Sequence, residues 1–80
     1  MLKPQKKLNL DTLETLLVTG AAREFVAGRN PAGKWVLQVR VGTRLLALGS
    51  QRLDERLFGS LDSLSAFAEG LGIRSLQVEL

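Results

Sequence analysis

Apolar residues near the start of the chain recur every three or four positions, which is the period of one helical stripe. The members of this stripe are Leu10, Leu13, Leu16 and Leu17. Asn9 is a good N-cap residue immediately before them, although Asp11 with Glu14 offers a competing capping-box frame. Gly20 is the residue type that commonly ends a helix. The pattern therefore predicts a helix over residues 10–19.

The middle of the chain alternates between apolar and polar residues and predicts a meander of three strands. A first strand is predicted over residues 22–27, and Asn30-Pro31-Ala32-Gly33 favours a tight turn after it. Positions 35–41 alternate with period two, and Gly42-Thr43 fits a two-residue hairpin turn. The facing pairs in that hairpin are then Val39 with Leu46, Leu37 with Leu48, and Trp35 with Ser50.

The last third of the chain predicts a short strand over 56–58, a second helix and a final strand. Ser60 can cap this helix, Gly72 can end it, and residues 76–80 alternate as a strand. The apolar stripe of the helix is Leu61, Leu64, Phe67, Ala68 and Leu71. The predicted fold is α+β in the order α-β-β-β-α-β, with a small, mostly antiparallel sheet packed against two helices. Residues 1–8 are predicted to be a flexible basic arm and residues 9–80 a single domain, and no internal repeat is evident.

Composition argues against catalysis. The chain has 80 residues and contains no Cys, His or Tyr. The commonest general base, the thiolate nucleophile and the usual zinc ligands are therefore missing. The string from Gly28 to Lys34 matches the first seven positions of a phosphate-binding G-x-x-x-x-G-K loop, but Trp35 and a strand follow where a hydroxyl residue and a helix are needed. We expect a hairpin turn there, and we expect neither an enzyme nor a bound cofactor.

The charge is unevenly distributed. The formal net charge is +3, and residues 23–56 hold +4 of charge between two regions of −2 each. This basic middle falls on the predicted sheet, which suggests contact with nucleic acid. The candidate contact residues are Lys34, Arg40, Arg44, Arg29 and Arg52. The alternative is structural, because basic residues commonly protect the edges of sheets.

The second hairpin strand is apolar on both faces. Residues 45–48 read Leu-Leu-Ala-Leu, whereas a sheet covered on one side needs only every second residue to be apolar. Val36, Leu45 and Ala47 would then form an exposed patch on the second face. Either one helix covers each face, or a second subunit covers this patch, and the latter makes these three residues candidates for self-association in a homodimer.

The element order resembles two families that bind nucleic acids. Three strands followed by a helix is the layout of AP2-like DNA-binding domains, and α-β-β-β-α resembles a double-stranded-RNA-binding domain. In the RNA-binding family a basic cluster begins the second helix, whereas Asp62 stands at that place here. The resemblance therefore favours DNA over RNA.

A further resemblance covers most of the chain. Its segments are Leu8–Leu17, Gly20–Glu24, Gly33–Leu37, Arg56–Asp62 and Leu71–Ile73. Together they are similar to the small ParC-type partition-associated proteins of bacterial plasmids and integrative elements. Because the shared positions are caps, turns and core residues, the resemblance transfers no site residue. It implies a cytoplasmic, non-catalytic accessory of DNA partition or maintenance that binds partition proteins or itself, with direct DNA binding as the alternative. No signal peptide or membrane-spanning run is evident, so no membrane partner is expected. Because no catalytic groups are evident, no small-molecule substrate is expected either.

Overall fold

The computed structural model describes residues 7–49 and 56–79. Its elements follow the predicted order α-β-β-β-α-β with two additions, a strand at the start and a short strand before the second helix. The elements are β1 (Lys7–Leu8), α1 (Leu10–Thr19), β2 (Glu24–Arg29), β3 (Trp35–Val41), β4 (Arg44–Leu48), β5 (Leu57–Phe58), α2 (Leu61–Gly70) and β6 (Gln77–Val78). Two helices and one mixed sheet confirm the α+β prediction. Neither helix described by the structure has the length and apolar run needed to cross a membrane.

Both helices begin at the predicted caps. The Asn9 side-chain oxygen accepts a hydrogen bond from the Thr12 backbone N–H at 2.8 Å, which selects the Asn9 frame over the competing capping box. Ser60 Oγ accepts in the same way from the Ser63 N–H at 3.1 Å. α1 ends where Gly20 adopts a φ of 79°, a left-handed conformation that glycine adopts without steric cost.

The predicted arm is shorter than residues 1–8. Lys7 and Leu8 form β1, which pairs in parallel with Ala47 and Leu48 of β4. Leu8 is 5% exposed and belongs to the core, so the domain begins at least two residues earlier than predicted. Residues 1–6 lie outside the described part of the chain, and for them the arm stays a prediction.

The meander has the predicted strand order. The observed pairing of Val39 with Leu46 confirms the register of the second hairpin. β2 lies two residues later than predicted, because Gly28 and Arg29 also pair with β3 and carry the ladder to the turn. In that turn the Gly33 N–H donates to the Asn30 carbonyl at 2.9 Å. The string that imitates a phosphate loop is therefore a hairpin turn.

The predicted pairing of Trp35 with Ser50 is wrong. The partner of Trp35 is Phe58 of β5. The Arg56 N–H donates to the Leu48 carbonyl at 2.7 Å, so β5 takes up the pairing with β3 beyond the end of β4. An aromatic pair across the strands buries more apolar surface than serine can, which favours the observed partner. Ser50 itself lies outside the described residues.

Strand direction explains where the helices lie. The sheet order is β1-β4-β3-β2-β6, with β5 also beside β3. β3 runs opposite to the other described strands, so α1 connects two parallel strands, β1 and β2, and α2 connects two parallel strands, β5 and β6. Both connections move across the sheet in the same direction. Because such crossovers share one hand, both helices lie on the same side of the sheet.

The core lies between that side of the sheet and the helices. Leu13 of α1, Leu64 of α2, and Leu37 and Val39 of β3 are 0% exposed and belong to one apolar cluster. The strand residues of this cluster have a single parity along each strand, so they come from one face of the sheet. The alternative of one helix on each face is therefore wrong.

Candidate interaction surface on the open sheet face

The second face of the sheet carries neither α1 nor α2, and we call it the open face. Strand alternation and the observed register place its residues. On β2, β3, β4 and β5 these are Glu24, Val26, Gly28, Val36, Gln38, Arg40, Leu45, Ala47 and Leu57. The sequence prediction that Val36, Leu45 and Ala47 share one face is correct, but their exposures differ.

Val36 belongs to the interior of the monomer. Its side chain is only 2% exposed, so it cannot offer surface to a second subunit. Val26 on β2 is also buried, at 6%. Gln38 packs between them, with its side-chain oxygen over Gly28, where a Cβ would stand 3.0 Å away. The centre of the open face is therefore buried within the monomer.

The exposed apolar surface lies one strand away, along β4 and β5. Leu45 is 38% exposed, Leu57 is 43% exposed, and Ala47 between them is half-buried. These three side chains lie in one column beside β3, opposite Arg40, Gln38 and Val36 in turn. We call this column the apolar strip. Leu57 replaces Val36 in the predicted patch, and no sequence signal marks it, because Leu57 and Phe58 are both apolar and only the structure shows which of them is exposed.

Charge on the open face is neutralised within the face. Glu24 and Arg40 pair across β2 and β3, with Arg40 Nε 3.4 Å from Glu24 Oε2. Both side chains are well exposed, at 65% and 41% respectively, so the ion pair is screened by solvent. Arg40, the central candidate for nucleic-acid contact, thus faces an acidic neighbour.

The fold does not bring the predicted nucleic-acid contacts together. Arg40 lies on the open face, whereas Arg44 pairs with Val41 and lies on the helix side at the same end of the sheet. Lys34 and Arg29 lie at the other end, about 20 Å away along the length of β3. Arg52 lies outside the described residues. The four described residues therefore occupy two ends and two faces.

Two arginines stack on aromatic rings of the helix side. The Arg29 guanidinium lies 4.7 Å from the centre of the Trp35 ring, and that of Arg56 lies 4.7 Å from the centre of the Phe67 ring. Phe67 in turn packs on Phe58 with ring centres 5.3 Å apart. Such contacts hold the guanidinium over apolar surface. Both arginines therefore have a structural role.

Within residues 7–49 and 56–79, no three acidic side chains come close enough together to hold a metal ion. Comparison with known proteins adds no relative: no protein-family model, curated protein or solved structure matches the chain. The resemblance to ParC-type proteins therefore rests on the sequence segments alone.

Proposed function

We propose that this chain is a non-catalytic protein-interaction module that dimerises through its open face. We further propose that it is an accessory of DNA partition or maintenance, the setting that its ParC-type resemblance implies. One observation supports the interaction module most: Leu45 and Leu57 are exposed on the face opposite both helices. Solvent-exposed large apolar residues that line up on one flat surface are typical of protein contacts.

The size of the face suits a weak dimer. The three long strands, β2, β3 and β4, are spaced about 4.8 Å apart and are about six residues long, which gives a flat area of about 300 Å². Specific complexes commonly bury about 800 Å² on each partner, so this interface is smaller than the standard one. We expect a dissociation constant on the order of 10–100 µM rather than a permanent dimer.

The nearly neutral charge of the open face favours a second copy of this chain as its partner over a strongly charged molecule. The open face holds an internally paired Glu24 and Arg40, so it neither attracts a polyanion nor repels an identical face. A nearly neutral surface with an apolar strip is complementary to another surface of the same kind. A two-fold axis satisfies this requirement with one surface on each subunit.

The alternative, direct DNA binding, has less support from the geometry. Phosphate contacts require several cations on one surface. Here the described candidates lie at opposite ends of the sheet, and Arg40 is paired with Glu24. DNA binding stays a prediction, carried by the charge distribution alone.

Sedimentation of three proteins tests the dimer. The wild type is expected to shift from monomer to dimer as its concentration rises through the micromolar range, and the double variant Leu45→Glu with Leu57→Glu to remain monomeric. The matched control is Val18→Glu, because Val18 is 88% exposed but lies on α1, away from the open face. We expect this control to dimerise like the wild type. A wild type that stays monomeric at every concentration would refute the dimer.

The partition role needs a separate measurement. Isotope-labelled protein is mixed with partition proteins, and changes in its backbone amide signals are recorded. Shifts confined to one surface would support an accessory role, whereas an unchanged spectrum would remove the support for it. Because the dimer is measured without any partner, the two parts of the proposal can fail independently.

A further inference from the structure

The chain contains an internal repeat, with one copy near its start and the other near its end. Each unit consists of an N-cap, a helix, a glycine-containing turn and a strand, and equivalent residues lie 51 positions apart, as Leu10 and Leu61 do. The identical pairs are Leu10/Leu61, Asp11/Asp62, Leu13/Leu64 and Arg23/Arg74. The sequence pattern had indicated no repeat, because a few matching residues separated by the whole meander are a weak signal.

Structure shows that these residues are equivalent. Asn9 and Ser60 both cap a helix by accepting a hydrogen bond from the third residue after them. Leu13 and Leu64 are both 0% exposed, and the equivalent residues Ala22 and Ile73, between helix and strand, are also buried, at 6% and 7%. The two final strands, β2 and β6, lie side by side in parallel.

The pairing of β2 with β6 places equivalent residues of the two repeat units side by side. Val26 pairs with Gln77 and Ala27 with Val78, so each residue of β2 lies beside its own equivalent in β6. The second unit is therefore displaced from the first by one strand across the sheet. β2 is covered at its outer edge by β6, and among the residues that the structure describes the equivalent edge of β6 is the end of the sheet.

The exposures of Ala27 and Val78 show the effect of this displacement. Both residues point to the helix side, yet Ala27 is 0% exposed whereas Val78 is 41% exposed. Ala27 has β6 beside it, and Val78 has no further strand among the described residues. An apolar side chain on the core side of an exposed edge indicates room for one more strand.

The backbone of β6 is oriented to accept that strand. The Glu79 N–H donates inward to the Ala27 carbonyl at 2.9 Å. Because successive residues of a strand direct their backbone groups to opposite edges, the N–H and carbonyl of Val78 point outward. Val78 therefore offers both a backbone donor and acceptor and an apolar side chain at one position.

We propose that the outer edge of β6 binds an extended segment of a partner protein as a parallel strand, in the way that β6 itself is bound by β2. The segment has an apolar residue beside Val78, an acidic residue beside Arg74 and a basic residue beside Glu79. Arg74 and Glu79 are both exposed, three residues before β6 and one residue after it, and they define that charge order. A second copy fits poorly in parallel, because its β6 would place Arg74 beside Arg74 and Glu79 beside Glu79.

Two end-blocked peptides test this proposal. The first copies residues 74–79 with Arg74→Glu and Glu79→Lys, and the second copies the same residues unchanged. Each peptide is titrated into isotope-labelled protein while the backbone amide signals are followed. We expect the charge-inverted peptide to shift the signals of residues 76–79 and to bind at least about threefold tighter than the unchanged one, since it exchanges two like-charge pairs for two opposite-charge pairs.

Variants at Val78 locate the binding. Val78→Pro removes the outward N–H while leaving the Glu79 bond to Ala27, so it should keep the fold and lose the peptide. Val78→Thr keeps the N–H in a residue that suits strands and should still bind. Unshifted amides of β3, which is separated from β6 by β2, report that the Val78→Pro protein is folded. The Leu45→Glu with Leu57→Glu protein should bind as the wild type does, since the edge acts independently of the proposed dimer.

Three results would overturn the proposal. If neither peptide shifts the amide signals of β6, the edge accepts no strand. Tighter binding of the unchanged peptide would indicate antiparallel pairing, in which Arg74 meets Glu79, and so a second copy as the partner. Undiminished binding to a folded Val78→Pro protein would place the peptide elsewhere.

Discussion

The side-chain oxygen of Gln38 lies over Gly28, at a position 3.0 Å from where a Cβ on that glycine would be. The two residues belong to neighbouring strands, since Gly28 pairs with Val36 and Gln38 pairs with Val26. Gly28 has an ordinary backbone conformation, because its φ is outside the left-handed region occupied by four other glycines. The glycine is therefore needed for space on the open face and not for backbone freedom.

A double-mutant cycle tests this relationship. In a Gln38→Ala background, Gly28→Ala should raise the free energy of unfolding by about 0.5–1 kcal/mol, because alanine loses less backbone entropy than glycine on folding. In the wild type the same change should gain little or nothing, because Gln38 must move from its place between Val26 and Val36. Urea unfolding of the four proteins measures the difference. Equal effects in both backgrounds would show that Gln38 does not occupy this space.

The repeat predicts that two distant leucines are equally important. Leu13 and Leu64 hold equivalent places in α1 and α2, and both are fully buried. Leu13→Ala and Leu64→Ala should each lower the free energy of unfolding by about 2–5 kcal/mol, since each leaves a cavity in the core. Leu10→Ala, at a half-buried position on α1, is the milder control. Unfolding by urea or heat gives the comparison, and a loss below 1 kcal/mol at either core leucine would contradict the shared role.

The two caps should also be equivalent. Asn9→Ala and Ser60→Ala each remove the side-chain oxygen that accepts from the first turn, so each should cost about 1 kcal/mol. Asn9→Asp and Ser60→Asp keep an acceptor and should cost little. Thermal unfolding measures all four variants. If the Asp variants were as destabilised as the Ala variants, the capping role would be wrong.

Local signals were enough to predict much of this fold. α1 occupies residues 10–19 as its stripe, cap and terminal glycine indicate, and the Gly42-Thr43 turn sets the observed pairing of Val39 with Leu46. Each of these features depends on residues close together in the chain, where period and turn chemistry act directly. The grouping of Leu45 and Ala47 on one face followed from the same register.

Long-range pairing could not be predicted from such signals. β1, β5 and β6 have two residues each, and their partners lie far away in the chain. Two residues carry almost no periodic pattern, so nothing local indicates that Phe58 rather than Ser50 meets Trp35. The side on which the helices lie depends on these same short strands, because they make both connections parallel crossovers. The burial of Val36 and the exposure of Leu57 follow from that arrangement.

Val36 and Leu45 are expected to differ in how much stability the same substitution costs, although both were predicted to lie in one exposed patch. Val36→Asp places a charge at a position 2% exposed and should lower the free energy of unfolding by at least about 3 kcal/mol. Leu45→Asp, at a position 38% exposed, should change it by less than about 1 kcal/mol while weakening the dimer. Denaturation at a protein concentration below the expected dissociation constant separates folding from dimerisation. Similar stability of the two variants would contradict the burial of Val36.

Substitution of Glu24 tests whether Arg40 has a structural role or binds DNA. The exposed ion pair should contribute no more than about 1 kcal/mol to folding, so Glu24→Gln should be nearly as stable as the wild type. That variant frees Arg40 and removes one negative charge from the open face. If Arg40 contacts phosphates, the Glu24→Gln protein must bind duplex DNA more tightly than the wild type. This gain must disappear when Arg40→Ala is added.

We expect no such change, because the described cations are not gathered on one surface. The measurement is a titration of duplex DNA at two salt concentrations, since phosphate contacts make affinity fall steeply as salt is added. The double variant Arg40→Ala with Arg44→Ala should then bind DNA as the wild type does. A steep salt dependence that this double variant weakens would instead establish the sheet as a DNA-binding surface.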